Sequence, residues 1–478
     1  MSEFDVVVLG GGPAGASAAL AAASTGLSVA LFDENPSAGG QVYRAPIDGI
    51  GASIDAGSSA DQEAGDALRR ELAASTVTTF FAHSVWAATG EYRVDATGPH
   101  GPVHCLARAL IVASGTTERV VPFEGWTTPG VIGLAAATIL LKSQGVLPGR
   151  STLLAGCGPL LAAVAAKTIE GGGKVEAIAD LAGTADWAAT LPALLARPDL
   201  LWQGAKWWRT IGRAGTPRFA RHTIVRVEPA GERLRATLAP CDAAGRPMDG
   251  QRKTVLADCI AVGHGLTPST EVTRLLRAKH VYSRAAGGWI AVADEDGRTS
   301  RPLLYVAGDV AGIAGAAAAA IHGTLAGLAC ALDVGASNPS RLTRRSEPTR
   351  KAHRQAMRIG HAMADLMALR FGHVDSITPD TIVCRCEDVT RREIDAACDA
   401  GAQDANQLKA WTRCGMGPCQ GRTCGDVAGE LLMRRAGATS RESVGCFAAR
   451  TPLRPVTVEA LTGEFAYDDI PIPKAAPL

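Results

Sequence analysis

The sequence predicts an α/β protein of two doubly wound units, each a three-layer ββα arrangement, followed by a small, mostly helical module. Three observations predict it. A short apolar run, a glycine-rich turn and an alanine-rich stretch follow one another at residues 6–23, and the same order recurs at residues 151–173. Each copy leads to a second apolar run that ends on an acid, Asp33 in the first and Asp180 in the second, as a parallel βαβ unit does. Six of the 12 cysteines then crowd into the stretch from Cys384 to Cys424, a clustering that points to metal.

The elements follow in order. Residues 6–9 read as a buried strand, 10–15 as a tight turn, the stretch to 23 as a helix and 29–32 as the next parallel strand. Residues 80–113 alternate like a small antiparallel sheet, and residues 221–262 read as further strands with a turn at 242–246. A strand at 302–306 leads through Ala307, Gly308 and Asp309 into a helix at 314–331, returning the chain to the first unit. The expected boundaries are therefore 1–120 and 285–337 for the first unit, 121–284 for the second, 338–375 for a helical connector, 376–440 for the cysteine module and 441–478 for a tail.

Size and charge narrow the function. At 478 residues the chain exceeds one hydrophobic core, so a large ligand can be buried between units. A net charge of +1 supplies no field to gather nucleic acid or anionic lipid. The one basic stretch, residues 341–358 with Arg344, Arg345, Arg350, Lys351 and Arg354, has no interleaved aromatics and reads as a solvated linker entering a helix. Glu3 and Asp5 precede only a four-residue apolar run, and no segment reaches about 18 uninterrupted apolar residues. A cytoplasmic chain with reduced thiols and no membrane span is expected.

A G-x-G-x-x-G turn alone is weak, but between a strand and a helix, with an acid closing the next strand, it is a dinucleotide fingerprint. Gly10 permits the turn, Gly12 lets the backbone approach a pyrophosphate, and Gly15 lets the helix pack on the strand. Pro13 and Ala14 open that helix, whose free N–H groups and positive dipole end face the phosphates. Asp33, with Glu34 beside it, is placed to accept hydrogen bonds from ribose hydroxyls. Asp309 can take a ribityl hydroxyl, or act simply as a helix cap. Together with Gly40 and Gln41, Gly115 and Gly308, the turn resembles the matching motifs of flavoproteins like the pyridine-nucleotide-disulfide reductases. That resemblance implies FAD in the first unit. Such reductases place a redox cysteine pair beside the flavin, whereas here Gln41, Val42, Tyr43 and Arg44 stand where one pair would lie and Cys157 has no near partner. Disulfide reduction is not expected.

In the second unit Gly156 and Gly158 are kept, but Leu161 replaces the third glycine, which pushes the helix from the strand or forces a compensating gap. The NAD(P)-like fold survives more surely than its site. Asp180 could hold a ribose, which leaves NAD(P) or another adenine nucleotide open there.

In the C-terminal module Cys384 and Cys386 form a C-x-C pair, followed at a distance by Cys419 and Cys424. Structural zinc prefers C-x-x-C knuckles, whereas these four thiolates suit the two irons of a [2Fe-2S] cluster, with amides of the loop 415–421 donating to the sulfurs. Cys414 competes by spacing but is taken as a neighbouring or free thiol, and Cys398 and Cys446 as buried hydrophobes. Residues 384–390 (CRCEDVT) and 413–424 (RCGMGPCQGRTC) resemble the [2Fe-2S] domain of bacterioferritin-associated ferredoxins. More specifically, they resemble the form fused to the alpha subunits of opine oxidases, hydrogen cyanide synthase and D-hydroxyproline dehydrogenase. Residues 39–44, 122–130, 262–268 and 450–455 fit the same group.

The resemblance implies an FAD and [2Fe-2S] electron-transfer subunit of a hetero-oligomer. Its partner would be a sarcosine-oxidase-like, FAD-containing beta subunit that oxidises the C–N bond of an amino acid, with a further small subunit in some cases. No catalytic acid or base stands out, and His264 and His322 read as packed or capping residues. A self-sufficient NAD(P)H reductase and a non-enzymatic assembly or sensor subunit stay open.

Overall fold

The computed structural model describes residues 2–47, 60–336 and 339–462, so the tail beyond 462 lies outside it. β1 (Ser2–Leu9), α1 (Pro13–Ala23), β2 (Val29–Phe32), α2 (Ala60–Ala73), β3 (Thr78–Phe80), β4 (Ser84–Ala88), β5 (Arg93–Gly98) and β6 (Gly101–Val112) build the first unit. β1 pairs in parallel with β2 and with the later part of β6, and β2 pairs in parallel with β3. The early part of β6 pairs antiparallel with β5, and β5 with β4. The expected antiparallel sheet is present but not separate. β6 is long enough, at 12 residues, to serve both arrangements, so the meander continues the parallel sheet.

β7 (Thr116–Glu118) crosses to the second unit, which holds β8 (Val131–Gly133), α3 (Leu134–Ile139), β9 (Ser151–Gly156), α4 (Pro159–Glu170), β10 (Lys174–Asp180), α5 (Thr184–Leu195), α6 (Pro198–Arg213) and β11 (Arg218–Ala220). β12 (His222–Ala230), β13 (Arg233–Pro240) and β14 (Lys253–Ala257) form an antiparallel sheet, and β15 (Cys259–Gly263) joins a parallel one ordered β11-β10-β9-β15-β8. The expected turn at 242–246 closes with the Asp242 N–H donating to the Arg246 carbonyl at 3.0 Å.

β16 (Leu266–Pro268) pairs with β7, and α7 (Glu271–Leu275), β17 (His280–Ser283) and β18 (Gly288–Ala291) follow. β19 (Leu304–Val306) returns to pair with β6, which makes the first unit discontinuous. α8 (Ala316–Val334) packs on α1 through small residues, since a Cβ on Gly323 would lie 1.9 Å from the Ala14 carbonyl oxygen. By length and composition α8 could cross a membrane, yet 67% of that stretch is buried inside the protein, as in a core helix.

α9 (Pro339–Leu366) and α10 (Phe371–Asp375) form the connector. The basic stretch spends its charge on the first unit, with Arg350 2.7 Å from Asp296 and Arg354 2.9 Å from Glu295. β20 (Ile382–Cys384), β21 (Val389–Thr390), α11 (Arg391–Asp399), α12 (Ala405–Thr412), α13 (Gly425–Arg435) and α14 (Arg441–Val444) make the cysteine module, and α15 (Val458–Thr462) ends the described chain. Val383, Ile394, Leu408, Val427 and Leu431 form its core. A capping box between Thr390 and Glu393 starts α11.

Candidate functional site

In the first unit the turn is packed tightly against backbone, partly its own and partly that of the strand end at Ala113. A Cβ on Gly10 would lie 2.3 Å from the Ala113 carbonyl oxygen, and one on Gly15 1.8 Å from the Gly10 oxygen. Gly12 differs, because its nearest neighbour would be the Gly40 Cα at 3.7 Å, so its face is open. No side chain caps α1, which begins at Pro13, and the first N–H groups at Ala14 and Gly15 are offered toward that opening. Gly115, at φ +65°, also faces open space, and Gln41 is exposed.

The acids divide differently from the expectation. Asp33 turns inward, accepting from the Gly11 N–H at 2.5 Å and from the Asn35 N–H and Nδ2 at 2.7 and 2.8 Å. It therefore holds the turn, and the exposed carboxylate is Glu34, 3.5 Å from Arg454. Asp309 accepts from the N–H groups of Ala314 and Gly315 at 3.0 and 3.1 Å, so it organises the entry to α8, and burial raises its pKa.

Asp309, Gly308, His322 and His353 line a cavity of about 290 Å³. His322 Nδ1 accepts from the Gly308 N–H, and burial followed by the stacked His353 ring lowers the His322 pKa to about 4. The neutral ring thus carries its proton on Nε2, a buried atom without a partner among the described residues. An open glycine face, uncapped N–H groups and an orphaned donor beside Asp309 fit a flavin dinucleotide.

The second unit's counterparts are occupied by the protein itself. A Cβ on Gly158 would lie 2.7 Å from Met367 Sδ, so the connector stands where a pyrophosphate would approach. Asp180 is buried and accepts from the Ala182 N–H, Trp187 Nε1 and Arg218 at 2.9, 3.1 and 2.8 Å. Gly156 serves packing, because its Cβ would meet the Gly263 oxygen at 1.7 Å. Leu161 does not open a gap; it is buried with Leu134 and Leu154. Cys157 packs with Cys241, a neighbour invisible in the sequence, and burial pushes the two thiols up to about 12 and about 11.

In the C-terminal module five thiols converge. Cys384, Cys414 and Cys424 lie within 4.8 Å of one another, all buried, and Cys386 interacts with Cys419. Cys414 is thus a neighbour of the expected ligands, one of the two places the sequence left open for it. Hydrogen bonds from Cys414 and Cys424, with the N–H groups of Gly415 and Glu387, outweigh burial and hold Cys384 at about 2. The Cys419 N–H donates to Cys386. Such amides suit thiolates that bind metal. Gly417 must be glycine, as a Cβ there would lie 2.3 Å from the Cys386 Cβ, and the Phe447 ring fills the space beside Gly415 and Gly421. Cys398 and Cys446 are half-buried rather than buried.

Sequence reasoning missed the joint between this module and the rest. Arg119, just past Gly115, donates to Asp426 at 2.8 Å, two residues beyond Cys424. Arg422 pairs with Glu271 at 3.0 Å and donates to the Leu453 carbonyl, while the Leu453 N–H donates to the Trp86 carbonyl at 2.7 Å. The tail therefore ties the cysteine loop to the first unit. His264 and His322 are buried and neutral, each accepting a backbone N–H, from Val121 and Gly308 respectively.

The pattern of the FAD dependent oxidoreductase family matches residues 5–112, and that of the Sarcosine oxidase A3 domain residues 378–464. The opine oxidase A subunit of Agrobacterium tumefaciens is 34% identical over 96% of this chain and 92% of its own length. The hydrogen cyanide synthase subunit HcnB of Pseudomonas aeruginosa is 33% identical over 95% of this chain and 97% of its own. This chain belongs to the family of HcnB and the opine oxidase A subunit. As a member of that family it is an FAD-dependent oxidoreductase of the kind that works as one subunit of a heteromeric oxidase. The fold is shared more widely. L-proline dehydrogenase from P. horikoshii superposes with a TM-score of 0.67 at 20% identity, covering 96% of this chain and 79% of that one. T. acidophilum thioredoxin reductase gives 0.51 at 20% identity, over 70% of this chain and 99% of that one.

Proposed function

We propose that this chain is the electron-transferring alpha subunit of a cytoplasmic heteromeric dehydrogenase for an opine, an imino acid or a related amino acid. FAD would lie along Gly10, Gly12, Gly15, Gly40, Gly115 and Asp309, and a [2Fe-2S] cluster on the cysteine loop. The observation that carries the reading is the group of converging thiols with amide donors, on a loop tied by Arg119 and Asp426 to the linker that leaves Gly115. A flavin takes electrons in pairs and such a cluster passes them singly.

This chain's own residues bind and position. The N–H groups of Ala14 and Gly15 receive the pyrophosphate, Glu34 reaches the ribose, the amides of Gly415 and Glu387 donate to Cys384 and that of Cys419 donates to Cys386. Oxidation of the C–N bond falls to a sarcosine-oxidase-like beta subunit, since the histidines near the motifs are buried, neutral and bonded to backbone. Met367 against Gly158 and the fully bonded Asp180 argue against a reductase fed by NAD(P)H in the second unit.

Anaerobic purification, alone and with its partner, tests the reading. Stoichiometric flavin, iron and acid-labile sulfide are expected, with amino-acid-dependent reduction of an artificial acceptor only in the complex. Zinc in place of iron and sulfide, or full turnover by the lone chain, would refute it.

A further inference from the structure

The five thiols fall into two unequal groups. Cys386 and Cys419 make a half-exposed pair, whereas Cys384, Cys414 and Cys424 make a buried trio. A cluster of two irons takes two thiolates at each. The pair can serve one iron, and the trio then offers three sulfurs for two places at the other.

Spacing shows that the third sulfur is no outsider. Two thiolates sharing a tetrahedral metal at about 2.3 Å stand about 3.8 Å apart. Cys414 Sγ and Cys424 Sγ are 3.8 Å apart. The backbone brings them together without a side chain to spare, because Gly415 and Gly421 both take positive φ and are packed against Phe447.

We propose that Cys414 is a reserve ligand of the cluster, able to replace Cys384 or Cys424 at the buried iron. The inference rests on the [2Fe-2S] reading above. In the exchange one iron–sulfur bond forms as another breaks, the proton of the Cys414 thiol passes to the departing thiolate, and no oxidation state changes. The half-exposed pair has no such reserve among the described residues.

The test compares cysteine variants reconstituted anaerobically, reading acid-labile sulfide per flavin and the electron paramagnetic resonance of the dithionite-reduced protein. Cys414→Ala keeps the cluster. Cys424→Ala and Cys384→Ala keep about half or more of the sulfide with an altered signal, whereas Cys419→Ala and Cys386→Ala lose it about tenfold or more. Adding Cys414→Ala to either buried-side variant removes what was retained. Bound flavin and circular dichroism report folding, and where one buried-side variant fails to fold the other carries the comparison. Equal, complete loss in Cys384→Ala, Cys424→Ala and Cys419→Ala would overturn the proposal while the wild-type cluster stands. A wild type without sulfide would overturn the underlying reading as well.

Discussion

Replacing Arg119 by methionine keeps the length of the side chain and removes its charge. Arg119 is 3% exposed. Besides Asp426 it donates to the Gly287 carbonyl at 2.5 Å and the Met367 carbonyl at 3.1 Å. One guanidinium thus joins the inter-unit linker, the turn that follows α9 and the helix that follows Cys424. Burial pushes the Asp426 carboxyl up, but Arg119 and Arg441, with Tyr282, outweigh it and hold its pKa below the usual value. Removing one partner of a buried pair costs about 3–5 kcal/mol. Arg441 remains 3.3 Å from Asp426, so the lower end, about 3 kcal/mol, is expected.

The pH dependence gives a second reading of the same change. In the wild type the depressed carboxyl contributes stability that is complete above its unfolded pKa of about 3.9 and is lost only as pH falls through the lower folded value. In Arg119→Met the folded carboxyl rises above that value, so the deficit is greatest at neutral pH and shrinks toward pH 4. Urea unfolding followed by circular dichroism at pH 7 and pH 5 measures both. A deficit under about 1 kcal/mol at pH 7, the range of a surface pair, or one that grows on acidification would refute the argument. Arg119→Met combined with Asp426→Leu should recover part of the loss, because the buried Arg441, which then loses Asp426, keeps Glu430 at 3.6 Å.

Gly12→Ala should fold, since its φ of −68° suits alanine and its Cβ meets nothing closer than 3.7 Å. The methyl would stand at the pyrophosphate, and flavin affinity read by equilibrium dialysis should fall about tenfold or more, about 1.4 kcal/mol. Burial, offset in part by the N–H groups of Ala135 and Leu134, raises Glu118 to about 7. Its ionisation therefore opposes folding as pH climbs from the unfolded pKa to about 7, so Glu118→Gln should stabilise by up to about 3 kcal/mol at pH 7 and hardly at pH 4, as thermal unfolding at the two pH values would show. Phe447→Ala removes the ring packed on the cysteine loop and should cost about 3–5 kcal/mol and speed cluster bleaching by a chelator, followed by visible absorbance.

The two doubly wound units were legible because their signals are local. Gly15 is required by a clash with the Gly10 oxygen within one turn, whereas the clash that requires Gly10 is with the distant Ala113 carbonyl, so the local pattern marks both glycines but contains the cause of only one. The acid at the end of β2 was legible only as a pair. All four residues of β2 are buried, so no alternation of apolar and polar residues says which of Asp33 and Glu34 turns inward. Its partner, the Gly11 N–H, decides that, and it lies across the turn.

Cys414 was ambiguous for a different reason. It precedes Cys419 by the same interval that separates Cys419 from Cys424, so spacing ranks the three equally. The loop breaks the tie by reversing direction at Gly415, Gln420 and Gly421, all at positive φ, which brings the first and third of these cysteines together and leaves the middle one with Cys386. Met367 and Arg119 belong to a third kind of case. The Arg119 bond to Asp426 spans 307 residues, and nothing beside either one names the other. Whether a glycine turn binds a nucleotide thus depends on two separate causes. Local sequence can build the cradle at Gly158 as readily as at Gly12, but only the path of a distant helix determines that one is filled by a methionine and the other stays open.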